Sequence, residues 1–187
     1  MRTWTVDLPS ELPEGVAYVD IETEKVELAN PVRGFPRRWR PFLVGLASGS
    51  TLTLVAGEEA ELATEVERLL AGHEVRYAAT KRFDELVLTG RFTNARRAPL
   101  PEPGPWPTVA VDAATWKNLG RQPENDRAAD VASIEAPVAW YDGRERAVLV
   151  HCLRDVAELL YAEGFELAWC REVLGASVAD AERLLLA

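Results

Sequence analysis

Two carboxylates two residues apart, Asp20 and Glu22 in the apolar run Val19-Asp20-Ile21-Glu22, are the groups of this chain best suited to hold a cation. Side chains alternate across a strand, so both acids point to one face, where two negative groups repel unless a positive ion holds them. Further along, Asp84 opens a helical pattern and Asp155 follows His151 by four residues, one turn of a helix. Clustered carboxylates suit Mg²⁺ or Mn²⁺, which prefer hard oxygen ligands and keep several waters; zinc is disfavoured by a set that lacks a Cys or His cluster. Each group also has a plainer reading. An Asp-x-Glu at a strand end is more often a solvated edge than a ligand pair. Asp84 in a first turn complements the helix dipole, Asp155 can be a surface acid, and a single histidine is more often a surface or satisfied side chain than a catalyst.

These residues need elements to position them. The run 15–19 before Asp20 is apolar and β-favouring, as a buried central strand is, and predicts a strand over about 16–21. Two short apolar runs, 42–47 and 51–55, joined by Ser48-Gly49-Ser50, continue it as a three-stranded meander. Over 58–71, Leu62, Val66, Leu69 and Leu70 recur at helical spacing, with acids in the first turn and Gly72 beyond the end. A fourth strand over 75–79 leads into a helix from about Phe83 with Phe83, Leu86 and Val87 on one face. The order is βββαβα, an α/β layered domain, and the chain is long enough for a single domain spanning 1–187. Later segments are a stiff loop over 99–107, with proline at five of nine positions, a strand over 108–111 and helical character over 126–134. Around Asp142-Gly143 a hairpin of 138–141 with 147–150 competes with a helix over about 144–161 carrying Leu149, Leu153, Val156 and Leu160. The helix accounts for more residues and is preferred. It puts Asp155 at the border of the apolar stripe, beside Cys152 and Leu159.

Thirty acids against 21 bases leave a net charge of −9, which ordinarily argues against a nucleic-acid partner. The bases are clustered, however. Arg33, Arg37, Arg38 and Arg40 surround Trp39 in an arginine-rich excursion over about 24–41, and Lys81, Arg82, Arg91, Arg96 and Arg97 follow later. Such patches can grip phosphates while the Trp39 ring stacks on a base of a single strand; a solvated loop with one anchoring Trp is the competing reading. Cys152 and Cys170 fall in helical stretches without zinc or redox spacing and read as small apolar core residues. With no membrane-length apolar run and no signal-like start, a soluble cytoplasmic protein is expected.

Taken in order, Val19-Asp20-Ile21-Glu22-Thr23, Phe83-Asp84-Glu85-Leu86 and His151-Cys152-Leu153-Arg154-Asp155-Val156 resemble the three motifs of the ribonuclease H-like DEDD exonucleases, and within them the bacterial branch of predicted ribonuclease H-like nucleases. The resemblance spans most of the chain. It implies a ribonuclease H-like fold, a mixed central sheet flanked by helices, and 3′–5′ exonuclease activity on single-stranded DNA or RNA. It also implies two divalent ions, with Asp20 bridging them, Glu22 and Asp155 completing the first site and Asp84 supporting the second. His151 then orients or deprotonates the attacking water, imidazole being the side chain that titrates nearest neutral. Two ions about 3.5–4 Å apart can stabilise the attacking and leaving oxygens of a phosphodiester together. The chain departs from the family twice. Ala78-Ala79-Thr80-Lys81-Arg82 lacks the Asn often found before the second motif, and His151 stands four residues before Asp155, the spacing of the tyrosine type. A catalytically silent ribonuclease H-like module that binds nucleic acid or protein is therefore the alternative, and a structural partner subunit a third. The acidic net charge predicts weak, salt-sensitive binding of a short single-stranded end.

Overall fold

A computed structural model describes residues 1–32, 35–78, 107–111 and 135–186, with the side chains of 25–39 and 186 left out of the description. The described residues form a six-stranded mixed sheet with helices on both faces. The elements are β1 (Arg2–Asp7), β2 (Val16–Val32), β3 (Phe35–Ser48), β4 (Thr51–Ala56), α1 (Glu59–Leu70), β5 (Glu74–Ala78), β6 (Thr108–Val111), α2 (Ala136–Tyr141), α3 (Glu145–Ala162), α4 (Leu167–Gly175) and α5 (Val178–Leu186). The sheet order is β1-β4-β3-β2-β5-β6. β2, β3 and β4 form the expected antiparallel meander, while β5 and β6 add in parallel to β2. β1 closes the other edge against β4 and is an element that the sequence reading did not assign.

β2 is central where β3 and β5 flank it, and there every residue from Val16 to Thr23 is buried. Its side chains divide by parity. Ala17, Val19 and Ile21 join Leu62, Val66 and Leu70 of α1 in one core. Tyr18 belongs to the larger core on the opposite face, built with α2 to α5. α3 is the hub of that layer, packing on β2, β3 and β4 below and on α2, α4 and α5 around it. Being buried almost all round, it reads as a core helix rather than an amphipathic one.

The helix expected over 144–161 is α3, and the competing hairpin is not formed. Asp142-Gly143 instead turns α2 into α3, with Gly143 at φ +85°, a conformation that favours glycine. The excursion expected over 24–41 is built of paired strands. β2 and β3 stay paired from Glu24↔Arg40 to Glu27↔Arg37 and again at Val32↔Phe35, after an irregularity at Glu22/Thr23. β4 accompanies β3 only over 43–48 and β5 accompanies β2 only over 16–18, so the distal half is a two-stranded ribbon. The second motif with its helix, the segment 99–106 and the segment 126–134 lie outside the described residues.

Two buried groups tie the helical layer together. Arg154 of α3, 5% exposed, donates to the Ala176 carbonyl at the end of α4. The Cys170 thiol of α4 donates to the Phe165 carbonyl at 3.1 Å, and burial pushes its pKa from the ordinary 9.0 up to about 12. The unfolded chain therefore loses this proton first as pH rises. The contribution of Cys170 is fully present below pH 9 and is lost progressively as pH climbs toward 12. Urea midpoints followed from pH 8 upward should fall less steeply in Cys170→Ala than in the native chain; equal slopes would contradict the assignment.

Candidate metal centre

The centre forms where β2 passes under α3. Asp20 and Glu22 share a parity opposite to Val19 and Ile21, so they face α3, and each is only 3% exposed. Burial of two carboxylates on one strand excludes the solvated-edge reading. Across the sheet, Asp20 pairs in register with Gly45 of β3. A Cβ built on Gly45 would lie 2.8 Å from Cys152 Sγ and 2.9 Å from Val156 Cγ2, so the absence of a side chain there lets α3 settle on the sheet. Cys152 and Val156 take that contact, which places their neighbours His151 and Asp155 beside Glu22.

His151 Nε2 lies 3.5 Å from Glu22 Oε1 and 3.9 Å from Asp155 Oδ2. These are ion-pair distances if the imidazole is protonated, and longer than ordinary hydrogen bonds. Among the described residues, ligand atoms converge in two groups: Asp20 with Glu22 and Cys152, and Glu22 with His151 and Asp155, each within 4.8 Å of one another. Donors on a single octahedral Mg²⁺ stand about 2.9 Å apart when adjacent and about 4.2 Å apart when opposite, given bonds of about 2.0–2.1 Å, so either group would have to draw together to hold an ion. Asp20, Glu22, His151 and Asp155, drawn from two elements some 130 residues apart in sequence, are groups that could hold a metal ion. Glu22 is common to both groups, whereas the resemblance gives the bridging place to Asp20.

Beyond Glu22 on the same strand, Glu24 accepts hydrogen bonds from Arg40 Nε at 2.8 Å and from the Tyr141 hydroxyl at 2.9 Å. The bond to Glu24 holds the Arg40 guanidinium protonated above its usual range, and burial followed by Glu24 raises the Tyr141 phenol. Arg40 is thus engaged by an acid on the neighbouring strand. Arg37, Arg38 and Trp39 lie on the β3 arm of the ribbon by backbone register alone. Arg33, Lys81, Arg82, Arg91, Arg96 and Arg97 lie outside the described residues, as does Asp84.

Sequence reasoning overlooked two members of the centre. Gly45 carried a signal, being an isolated glycine inside the apolar strand run Phe42-Leu43-Val44-Gly45-Leu46-Ala47, which marks close approach of another element. Cys152 is buried as expected, but against two carboxylates rather than in a purely apolar setting. No helix among the described residues is long and apolar enough to cross a membrane. No family model, no curated protein and no solved structure matches this chain.

Proposed function

We propose that this chain is a divalent-cation-dependent nuclease of ribonuclease H-like architecture that releases nucleotides from the 3′ end of single-stranded DNA or RNA. The observation that carries the reading is the convergence of buried Asp20 and Glu22 with His151 and Asp155, the first and third motifs of the resemblance, at one crossing of β2 and α3. The βββαβ order of β2, β3, β4, α1 and β5 supports it, being the order that the resemblance implies.

In this reading Asp20, Glu22 and Asp155 hold Mg²⁺ or Mn²⁺, with Asp84 as a further ligand. A bound ion supplies stabilisation of the charge that develops on the attacking and leaving oxygens. His151, whose Nε2 lies beside Glu22 and Asp155, orients or deprotonates the attacking water as the phosphodiester is attacked. Burial beneath α3 excludes bulk water from the carboxylates and strengthens their hold on a cation.

The test is degradation of end-labelled single-stranded DNA and RNA with Mn²⁺, comparing the native chain with Asp20→Asn. Shortening by the native chain alone is expected; no shortening, or equal shortening by both, leaves a silent binding module. His151→Asn is expected to slow turnover by about 10²–10⁴-fold, the range of a general base, while Mn²⁺ affinity changes much less. A parallel collapse of affinity would make His151 a ligand instead.

A further inference from the structure

We infer that Cys152 is a third ligand that gives the Asp20–Glu22 centre a high affinity for thiophilic divalent ions such as Zn²⁺ or Cd²⁺, and that such an ion shuts off the Mg²⁺- or Mn²⁺-dependent reaction. The inhibitory half rests on the nuclease reading; the binding half stands on the donor set alone. Cys152 is fully buried, is not in a disulfide, and has its sulfur within 4.8 Å of ligand atoms of both Asp20 and Glu22. These are three different side chains from two elements, and the two carboxylates are themselves 3% exposed. The contact with Gly45 fixes the sulfur from below, since no β-carbon stands between the strand and Cys152 Sγ.

Chemistry then separates the ions. Mg²⁺ and Mn²⁺ bind carboxylate oxygens and water and gain little from sulfur, whereas zinc-class ions bond thiolate strongly. A tetrahedral zinc ion with sulfur at about 2.3 Å and carboxylate oxygens at about 2.0–2.2 Å sets its donors about 3.4–3.6 Å apart, so donors already within 4.8 Å of one another close on it by movements of up to about 1 Å. On binding, the sulfur–hydrogen bond breaks, its proton passes to solvent, and the electron pair forms the sulfur–metal bond. An ion held this way occupies Glu22, the residue shared with His151 and Asp155, and withdraws it from the second group. Cys170 provides the internal control: it is equally buried, bonded to the Phe165 carbonyl, and belongs to neither group.

The full-length chain is titrated with Cd²⁺ while the ultraviolet sulfur-to-cadmium charge-transfer band is followed. The native chain and Cys170→Ser should develop the band to saturation at one ion per chain, Cys152→Ser should not, and Glu22→Gln should bind at least about tenfold more weakly. Should Cys152→Ser fail to fold, Cys152→Ala takes its place. Absence of the band in the native chain, or its persistence without Cys152, overturns the inference. In the Mn²⁺ reaction, half-inhibition of each variant relative to its own rate should need at least about tenfold more Zn²⁺ once Cys152 is replaced; an unchanged requirement overturns the inhibitory half. A band without Mn²⁺-dependent cleavage supports the thiol ligand and removes the nuclease reading. Cleavage without a band does the reverse.

Discussion

Replacing Glu22 by Gln is expected to make the metal-free protein more stable and to stop its metal-dependent chemistry. Asp20 and Glu22 place carboxylate oxygens within 4.8 Å of each other in a site almost closed to water. Two unit charges at that separation repel by about 3 kcal/mol at an effective dielectric constant near 20. Neighbouring groups offset part of this, so a net gain of about 1–2 kcal/mol is expected on removing the charge. For a chain of this size, that raises the unfolding midpoint by several degrees, at about 2–4 °C per kcal/mol. Turnover should meanwhile fall by at least about 100-fold, the upper end of what is lost when a group merely supporting a metal ligand is removed. Calorimetry in a chelator and single-turnover kinetics in Mn²⁺ check the two halves. A lower midpoint in the chelator would show that Glu22 is a structural acceptor and not a ligand held against repulsion.

Gly45→Val should be the most damaging substitution that touches no charged group. Even alanine places its β-carbon 2.8 Å from Cys152 Sγ and 2.9 Å from Val156 Cγ2, two short side chains on a helix confined from the other side by α4 and α5. Overpacking of this kind costs about 1–3 kcal/mol. Removing a glycine from the unfolded chain returns only about 0.4–1 kcal/mol, so the balance for Gly45→Ala is a net loss. Valine adds two methyl groups to the same space and should exceed it. Because α3 carries His151 and Asp155, lifting it from the sheet also draws both from Glu22, so Mn²⁺ affinity should fall together with stability. Urea unfolding and Mn²⁺ titration measure the two; a Gly45→Ala chain as stable and as tightly binding as the native one would contradict the close approach.

The strand parity of Asp20 and Glu22 and the helical spacing of His151 and Asp155 were legible because both follow from periodicity, which a sequence displays directly. Which way the helix faces was less so. α3 is apolar on nearly every side, so its pattern marks burial without singling out the side that meets the carboxylates, and Cys152 passed as an ordinary core residue. The strand pairing within the arginine-rich excursion was hard to read for a different reason. Pro31, Pro36 and Pro41 argue against a central strand, but beyond Glu22 neither β4 nor β5 accompanies the β2–β3 pair, and strands with a bare side tolerate proline. β1 offered only a weak signal, since Val6 is its one buried residue, as suits an edge strand. Its place depends on contacts remote in sequence: Arg2 forms a two-pronged ion pair with Glu145 of α3 and lies 5.1 Å from the Trp140 ring.

The claim that the crossing of β2 and α3 is built to hold a divalent cation is tested most directly by Mn²⁺ electron paramagnetic resonance, which reports the hydrated ion left in solution. The signal should drop stoichiometrically as native protein is added, and the drop should be lost in both Glu22→Gln and Asp155→Asn, whose carboxylates come from different elements. An undiminished signal with the native chain, or a drop in either substituted chain as large as in the native one, would contradict it.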